Sequence, residues 1–227
     1  MGFLCYSEFA GIAAAHDIRR PGIWGIVAGC LLVLEPPLTT LLLVLLVLIS
    51  LGEALRRSNF QEILPELSAS FFGSLYTFGP WRSAVTLRAA SVHLLFFALA
   101  MNWIGDSAAY YVGRKLGRHR LAPIVSPNKS WEGAIASVLA SLLFGLLYLP
   151  RLLPELRVWQ IVLMAVLGNI AGQIGDLSES AMKRGAGLKD SGTLLPGHGG
   201  MLDRVDSSLF SLPAVSAIYT YLIRLNY

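Results

Sequence analysis

The sequence predicts an all-α fold, a polytopic transmembrane helical bundle of about six to seven membrane helices, and three observations predict it. Of 227 residues, 55% are hydrophobic and only 14% charged, where soluble domains carry about 25% charged residues. The mean hydropathy is +0.60. The runs Leu38–Leu51, Gly133–Leu149 and Val158–Ile174 contain no charge at all, and runs approaching about 20 apolar residues suit a bilayer.

The elements follow in order. Met1–Ala15 reads as a partial span with Glu8 inside it, so the chain reads as starting partway into a membrane helix; no basic region precedes it as in a signal peptide. His16–Arg20 is a polar turn closed by Pro21-Gly22. Ile23–Leu34 and Pro37–Leu51 form a helical hairpin about Glu35-Pro36-Pro37, because consecutive prolines end one helix and start the next. Gly52–Glu66 is a charged connection, and Leu67–Phe78 is a short apolar segment ending at Gly79-Pro80. Ala84–Ile104 is a full span followed by a Gly- and Arg-rich stretch to about Lys129. Trp131–Leu149 and Leu156–Ile174 form a second hairpin turning at Pro150–Pro154. Asp176–Asp206 is a long polar segment, and Ser207–Leu225 is the last span. With no internal repeat, residues 1–227 are expected to form a single membrane-embedded domain.

The net charge of +4 and pI near 9.2 fit basic residues collected at the cytoplasmic face better than nucleic-acid binding, which is not expected. If Arg19 and Arg20 are cytoplasmic, alternate crossings put Arg56, Arg57, Arg114, Lys115, Arg118, Arg120, Lys129, Lys183, Arg184, Lys189 and Arg204 on the same side. The opposite side receives only Arg82, Arg151, Arg157 and Arg224. This predicts an integral protein of a bacterial inner membrane with both polar segments at the cytoplasmic face. Cys5 and Cys30 make neither a metal pattern nor a disulfide framework.

Two stretches carry the chemistry. In the first, Asn102, Asp106 and Tyr110 fall four residues apart and share one helix face. An acid at a membrane helix end is costly without a partner, which makes Asp106 a site candidate; the alternative is a cap or a pair with Arg114 or Lys115. Ser126-Pro127-Asn128-Lys129-Ser130 before Trp131-Glu132-Gly133 resembles a helix start, where free amides, hydroxyls and a lysine suit a phosphate. In the second stretch, Asp176 ends an apolar span, and Asp203 and Asp206 precede the next, sharing a face if the final helix already includes them. Carboxylates without a Cys/His cluster suit a hard cation such as Mg²⁺, and the interleaved Lys183, Arg184, Lys189 and Arg204 suit phosphate oxygens. Acids for a metal and bases for phosphates at one membrane face are what phosphoryl or nucleotidyl transfer requires. A solvated loop of mutual salt bridges is the alternative; Pro196-Gly197 and Gly199-Gly200 speak for a shaped backbone instead. His198 suits a phosphate contact or a structural hydrogen bond, and His16, His93 and His119 belong to no constellation.

Ser180-Ala181-Met182-Lys183-Arg184, Lys189-Asp190 and Leu195-Pro196-Gly197-His198-Gly199-Gly200-Met201-Leu202-Asp203-Arg204-Val205-Asp206 resemble the signature of the CDP-diacylglycerol synthases, with matching spacing. The blocks Asp106 to Gly117 and Ser126 to Gly133 are similar to a second block of that family, so the resemblance runs from Asn102 to the C-terminus, with a weaker echo before it. The resemblance implies attack of a phosphatidic acid phosphate on the α-phosphorus of CTP, giving CDP-diacylglycerol and pyrophosphate. It implies a catalytic region over 102–207 in which Asp176, Lys189, Asp190, Asp203 and Arg204 are catalytic. Asp106, Ser126, Lys129, Lys183, Arg184 and His198 would bind substrate. Asp176 and Asp203, with Asp206, would hold a Mg²⁺ centre that admits a monovalent cation such as K⁺, and a homodimer is compatible with the family. Family members usually carry more membrane helix at the N-terminus than this chain.

A related CTP-dependent enzyme acting on a polyprenol or another lipid phosphate is the nearest rival, and the complete block from His198 to Asp206 favours the synthase. A transporter would explain spans and buried acids, but no inverted repeat is visible and the Lys/Arg-with-Asp cluster on one face is left unexplained. No Walker A or Gly-x-Gly-x-x-Gly pattern points to a soluble nucleotide fold.

Overall fold

The computed structural model describes residues 1–56, 58–194, 197 and 199–223. Among these it has nine α-helices and one two-stranded hairpin. The chain divides into two compact units, Met1–Arg82 with Met182–Arg204, and Ser83–Ala181 with Val205–Tyr227.

The first unit holds α1 (Gly2–Ala15), α2 (Ile23–Leu34), α3 (Thr39–Ala54), a 3₁₀ turn at Phe60–Glu62 and α4 (Ile63–Thr77). α4 packs on both α1 and α2. Phe9, Phe72 and Tyr76 make an aromatic cluster between α1 and α4, with Phe72 and Tyr76 stacked at 6.0 Å. Much of α3 keeps its leucines outward: Leu41, Leu45 and Leu48 are exposed.

α5 (Gly79–Ala90) leads into the second unit, built on α6 (Val92–Leu116), the hairpin β1 (Arg120–Ala122) and β2 (Ser126–Ser130), α7 (Trp131–Leu152), α8 (Val158–Gly185) and α9 (Leu202–Ala217). α8 ends in the first unit and α9 begins there. α6 and α7 pack closely along their lengths. The inward stripe of α7 is Gly133, Ser137, Ser141, Gly145 and Leu149, one residue every four. Its outward stripe, Ile135, Leu139, Leu143 and Leu147, is more than half exposed. Small polar residues inward and large apolar residues outward reverse the pattern of a water-soluble helix, and a lipid surround explains it: leucine gains nothing by leaving lipid, whereas small residues let backbones approach. α6, α7 and α8 are long and apolar enough to cross a membrane, and α1, α2 and α3 are shorter apolar helices. The protein is an integral membrane protein with an all-α fold.

Several boundaries differ from expectation. The single span over Ala84–Ile104 is divided at Ser91, whose extended backbone and hydroxyl, accepting from the His93 amide at 3.1 Å, cap α6. α8 does not stop at Ile174 but runs on through Asp176 to Gly185, with Lys183 and Arg184 in its last turn, where cations complement the helix dipole. α9 begins at Leu202 and so includes Asp203 and Asp206. Residues 126–130, expected to open a helix, are instead a strand paired antiparallel with 120–122, and Ser130 alone caps α7 by accepting from Gly133 at 3.2 Å.

Candidate active site

In the second unit, α6, β2 and α8 converge on a cavity of about 270 Å³ lined by Asp106, Tyr110, Lys129, Ser137, Gln173 and Asp176, among others. The i, i+4 spacing that places Asp106 and Tyr110 on one face of α6 puts both at this cavity. β2 carries Lys129 across to α8, where its Nζ donates to Asp176 Oδ2. Both side chains are partly open, at 29% and 28% exposure, so the pair is reachable from the cavity. Asp206 on α9 interacts electrostatically with Asp176, Asp106 and Lys129. Three carboxyl groups and one ammonium thus share this part of the second unit.

That donor set, oxygen-only and rich in carboxyl groups, fits a hard divalent cation. Among the described residues, no group of three His, Cys, Asp or Glu side chains is already gathered tightly enough to hold an ion. Ser126 begins β2, half-buried.

A second cluster lies in the first unit. Asp203, in the first turn of α9, is paired with Lys183 near the end of α8, and their side chains are 12% and 10% exposed. Asp203 Oδ2 also accepts from Ser191 N at 2.9 Å, Ser191 Oγ at 3.0 Å and Gly200 N at 2.8 Å. Burial pushes the Asp203 carboxyl up, but the hydrogen bonds from Lys183, Gly200 and Ser191 outweigh it and hold the group down at about 2. Asp203, expected at the metal, also ties Ser191 and Gly200 to the start of α9. Asp190, Lys189, Arg184 and Arg204 are exposed around it, with Arg184 Nη1 donating to Leu188 O at 3.1 Å. His198 lies outside the described residues.

Sequence reasoning missed Glu8. This α1 carboxylate accepts from Met201 N at 2.8 Å and Leu202 N at 2.7 Å, and its Oε2 lies 2.9 Å from Ser191 Oγ, whose one proton it shares with Asp203 Oδ2. It satisfies free amides at the start of α9 and shares Ser191 with Asp203, so two acids from distant helices close one turn. The backbone must come close to do this. A Cβ on Gly200 would stand 2.2 Å from Ser191 Oγ and 2.4 Å from Glu8 Oε2, and Gly199 sits at φ +76°. The signal was legible in principle, because an acid inside an apolar helix is costly without partners. His16, also unassigned, shares a hydrogen bond with Met182 O through Nε2 at 2.9 Å.

A family model described as the Cytidylyltransferase family matches residues 1–222. The chain is 42% identical over 131 residues to a protein of Staphylococcus haemolyticus named phosphatidate cytidylyltransferase, covering 58% of this chain and 50% of that protein. It is 40% identical over 131 residues to a Staphylococcus aureus protein of the same name, with the same two coverages. The chain thus spans about half the length of the curated relatives it matches.

Proposed function

Because the chain belongs to the cytidylyltransferase family, we propose that it transfers the cytidylyl group of CTP to phosphatidic acid, giving CDP-diacylglycerol and pyrophosphate. The observation that carries this reading is the cavity lined by Asp106, Lys129 and Asp176, where α6, β2 and α8 converge. The names of the relatives supply the lipid.

A phosphate oxygen of the lipid attacks the α-phosphorus of CTP, that P–O bond forms, and the bond from the α-phosphorus to the bridging oxygen breaks as pyrophosphate leaves. The incoming phosphate is itself the nucleophile, so the protein positions the reactants and neutralises charge. Asp176 and Asp206, with Asp106 beside them, would hold Mg²⁺, which supplies charge neutralisation at the phosphates. Lys129 reaches the same cavity and offers its ammonium to phosphate oxygens in exchange for Asp176. Asp203 and Lys183 hold the segment bearing Lys189 and Asp190, and the sequence pattern offers Arg184 and Arg204 as phosphate contacts. The excess of basic residues on one side supports a cytoplasmic-facing site in a bacterial inner membrane.

The test is incubation of the purified protein in detergent with CTP labelled at the α-phosphate and phosphatidic acid. Label should enter CDP-diacylglycerol and EDTA should abolish it. Label entering only another lipid, or γ-phosphate transferred in place of the cytidylyl group, would overturn the reading.

A further inference from the structure

Ser137, Ser141 and Asn169 are polar yet at most 2% exposed inside the second unit. Buried polar groups in a membrane protein must find partners, and here the partners form a chain with a fixed sense. Ser141 Oγ donates to the Met101 carbonyl at 2.9 Å. Its one proton is then used, so it accepts from Asn169 Nδ2 at 2.8 Å. Ser137 Oγ accepts the other Asn169 proton at 3.0 Å. Asn169 Oδ1 is thereby turned toward Gln173, from whose Nε2 it accepts at 2.7 Å. The second Gln173 proton goes to the Ala134 carbonyl at 3.1 Å. A backbone carbonyl cannot donate, so the Gln173 amide cannot be reversed. Its nitrogen is spent within the protein, and among the described residues nothing donates to its oxygen. Gln173 lines the cavity one helical turn from Asp176 on the same face of α8, about 4.5 Å along the axis.

We infer that Gln173 Oε1 is the base-selecting group of this cavity, an orientation-locked acceptor that takes a pyrimidine bearing an exocyclic amine and rejects one bearing a carbonyl at that position. This deepens the cytidylyl-transfer reading and rests on it. The amine of cytosine donates to Oε1, whereas the carbonyl of uracil would set two acceptors against each other and leave both unpaired. A freely rotating glutamine would present its NH₂ to uracil and discriminate poorly; this one is prevented by Ala134 O and Asn169 Oδ1.

Equilibrium dialysis of the full chain in detergent, with labelled CTP, UTP and the triphosphate of a pyrimidin-2-one riboside that lacks the amine, tests this. The unaltered protein should hold CTP at least about tenfold more tightly than either competitor. Gln173→Met should weaken CTP about tenfold and leave UTP bound as tightly as before or more tightly, so that the two come level. Retained UTP binding shows that the variant is folded. A CTP-over-UTP preference undiminished in Gln173→Met overturns the inference. So does unaltered protein that binds the amine-free triphosphate as tightly as CTP, an arm that needs no variant. If selective binding appears but no CDP-diacylglycerol forms, the reaction assignment fails and the base-selecting role stands. If product forms with no preference among the three triphosphates, the base-selecting role fails and the reaction assignment stands.

Discussion

Glu8 accepts the backbone amide of Leu202 at 2.7 Å across 194 positions of sequence. The same carboxylate takes the Met201 amide and the Ser191 hydroxyl, so the start of α9 is capped by an acid from α1. Glu8→Ala should leave the Met201 and Leu202 amides without their acceptor, while the Ser191 hydroxyl keeps Asp203, and cost about 2–3 kcal/mol. Glu8→Gln keeps one oxygen and should cost about half as much. Thermal unfolding in detergent reads both.

Gly200→Ala should be as damaging as its small size makes it look harmless. The added methyl meets Ser191 Oγ at 2.2 Å and Glu8 Oε2 at 2.4 Å, so the turn must open. A loss of about 1–3 kcal/mol is expected, with cytidylyl transfer reduced about tenfold or more as the segment bearing Lys189 and Asp190 loosens. Gly11→Ala, where a Cβ meets nothing within 4 Å, should instead gain up to about 1 kcal/mol. Paired melting curves and initial rates make the comparison.

Lys129 and Asp176 form one ion pair but should respond to substitution with opposite dependence on Mg²⁺. Asp176→Asn removes a proposed metal carboxylate and should raise the half-saturating Mg²⁺ concentration about tenfold or more. Lys129→Met removes a cation from an anionic cluster, so that concentration should hold or fall while turnover drops about 100-fold. A Mg²⁺ titration of each variant separates the two roles.

Gly105→Ala should act at the polar chain. Its methyl would stand 2.5 Å from Ser137 Oγ and 2.7 Å from Asn169 Nδ2, so α6 must move away from α7 and α8. Destabilisation of about 1–3 kcal/mol is expected by thermal unfolding.

The apolar cores of α7 and α8 were legible because lipid imposes a composition that no loop shares, and Asp106, Lys129 and Asp176 stood out as charges at the ends of such runs. Ser91 was not legible as a break, since a lone serine in an apolar window is ordinary until its hydroxyl is seen on the His93 amide. The continuation of α8 past Asp176 was obscured because charge was read as loop, although 176–184 contains neither Gly nor Pro. The hairpin was missed because two strands this short, turning at Pro123, leave no alternation to read. Asp203 was recognised by type, but its engagement with Ser191 and Gly200 depends on a turn that only the folded chain makes.

The one-way chain from Met101 to Gln173 implies that fidelity is inherited rather than local. The oxygen that would choose the base is aimed by a serine on another helix, through an asparagine that never meets the nucleotide. Ser141→Ala would free Asn169 to turn over and leave the Ala134 carbonyl as the one remaining hold on the Gln173 amide. Such a change would blur which nucleotide is accepted while leaving every lining residue of the cavity intact. Errors in substrate choice can therefore be written deep in the membrane, at a site that no inspection of the cavity walls would suspect.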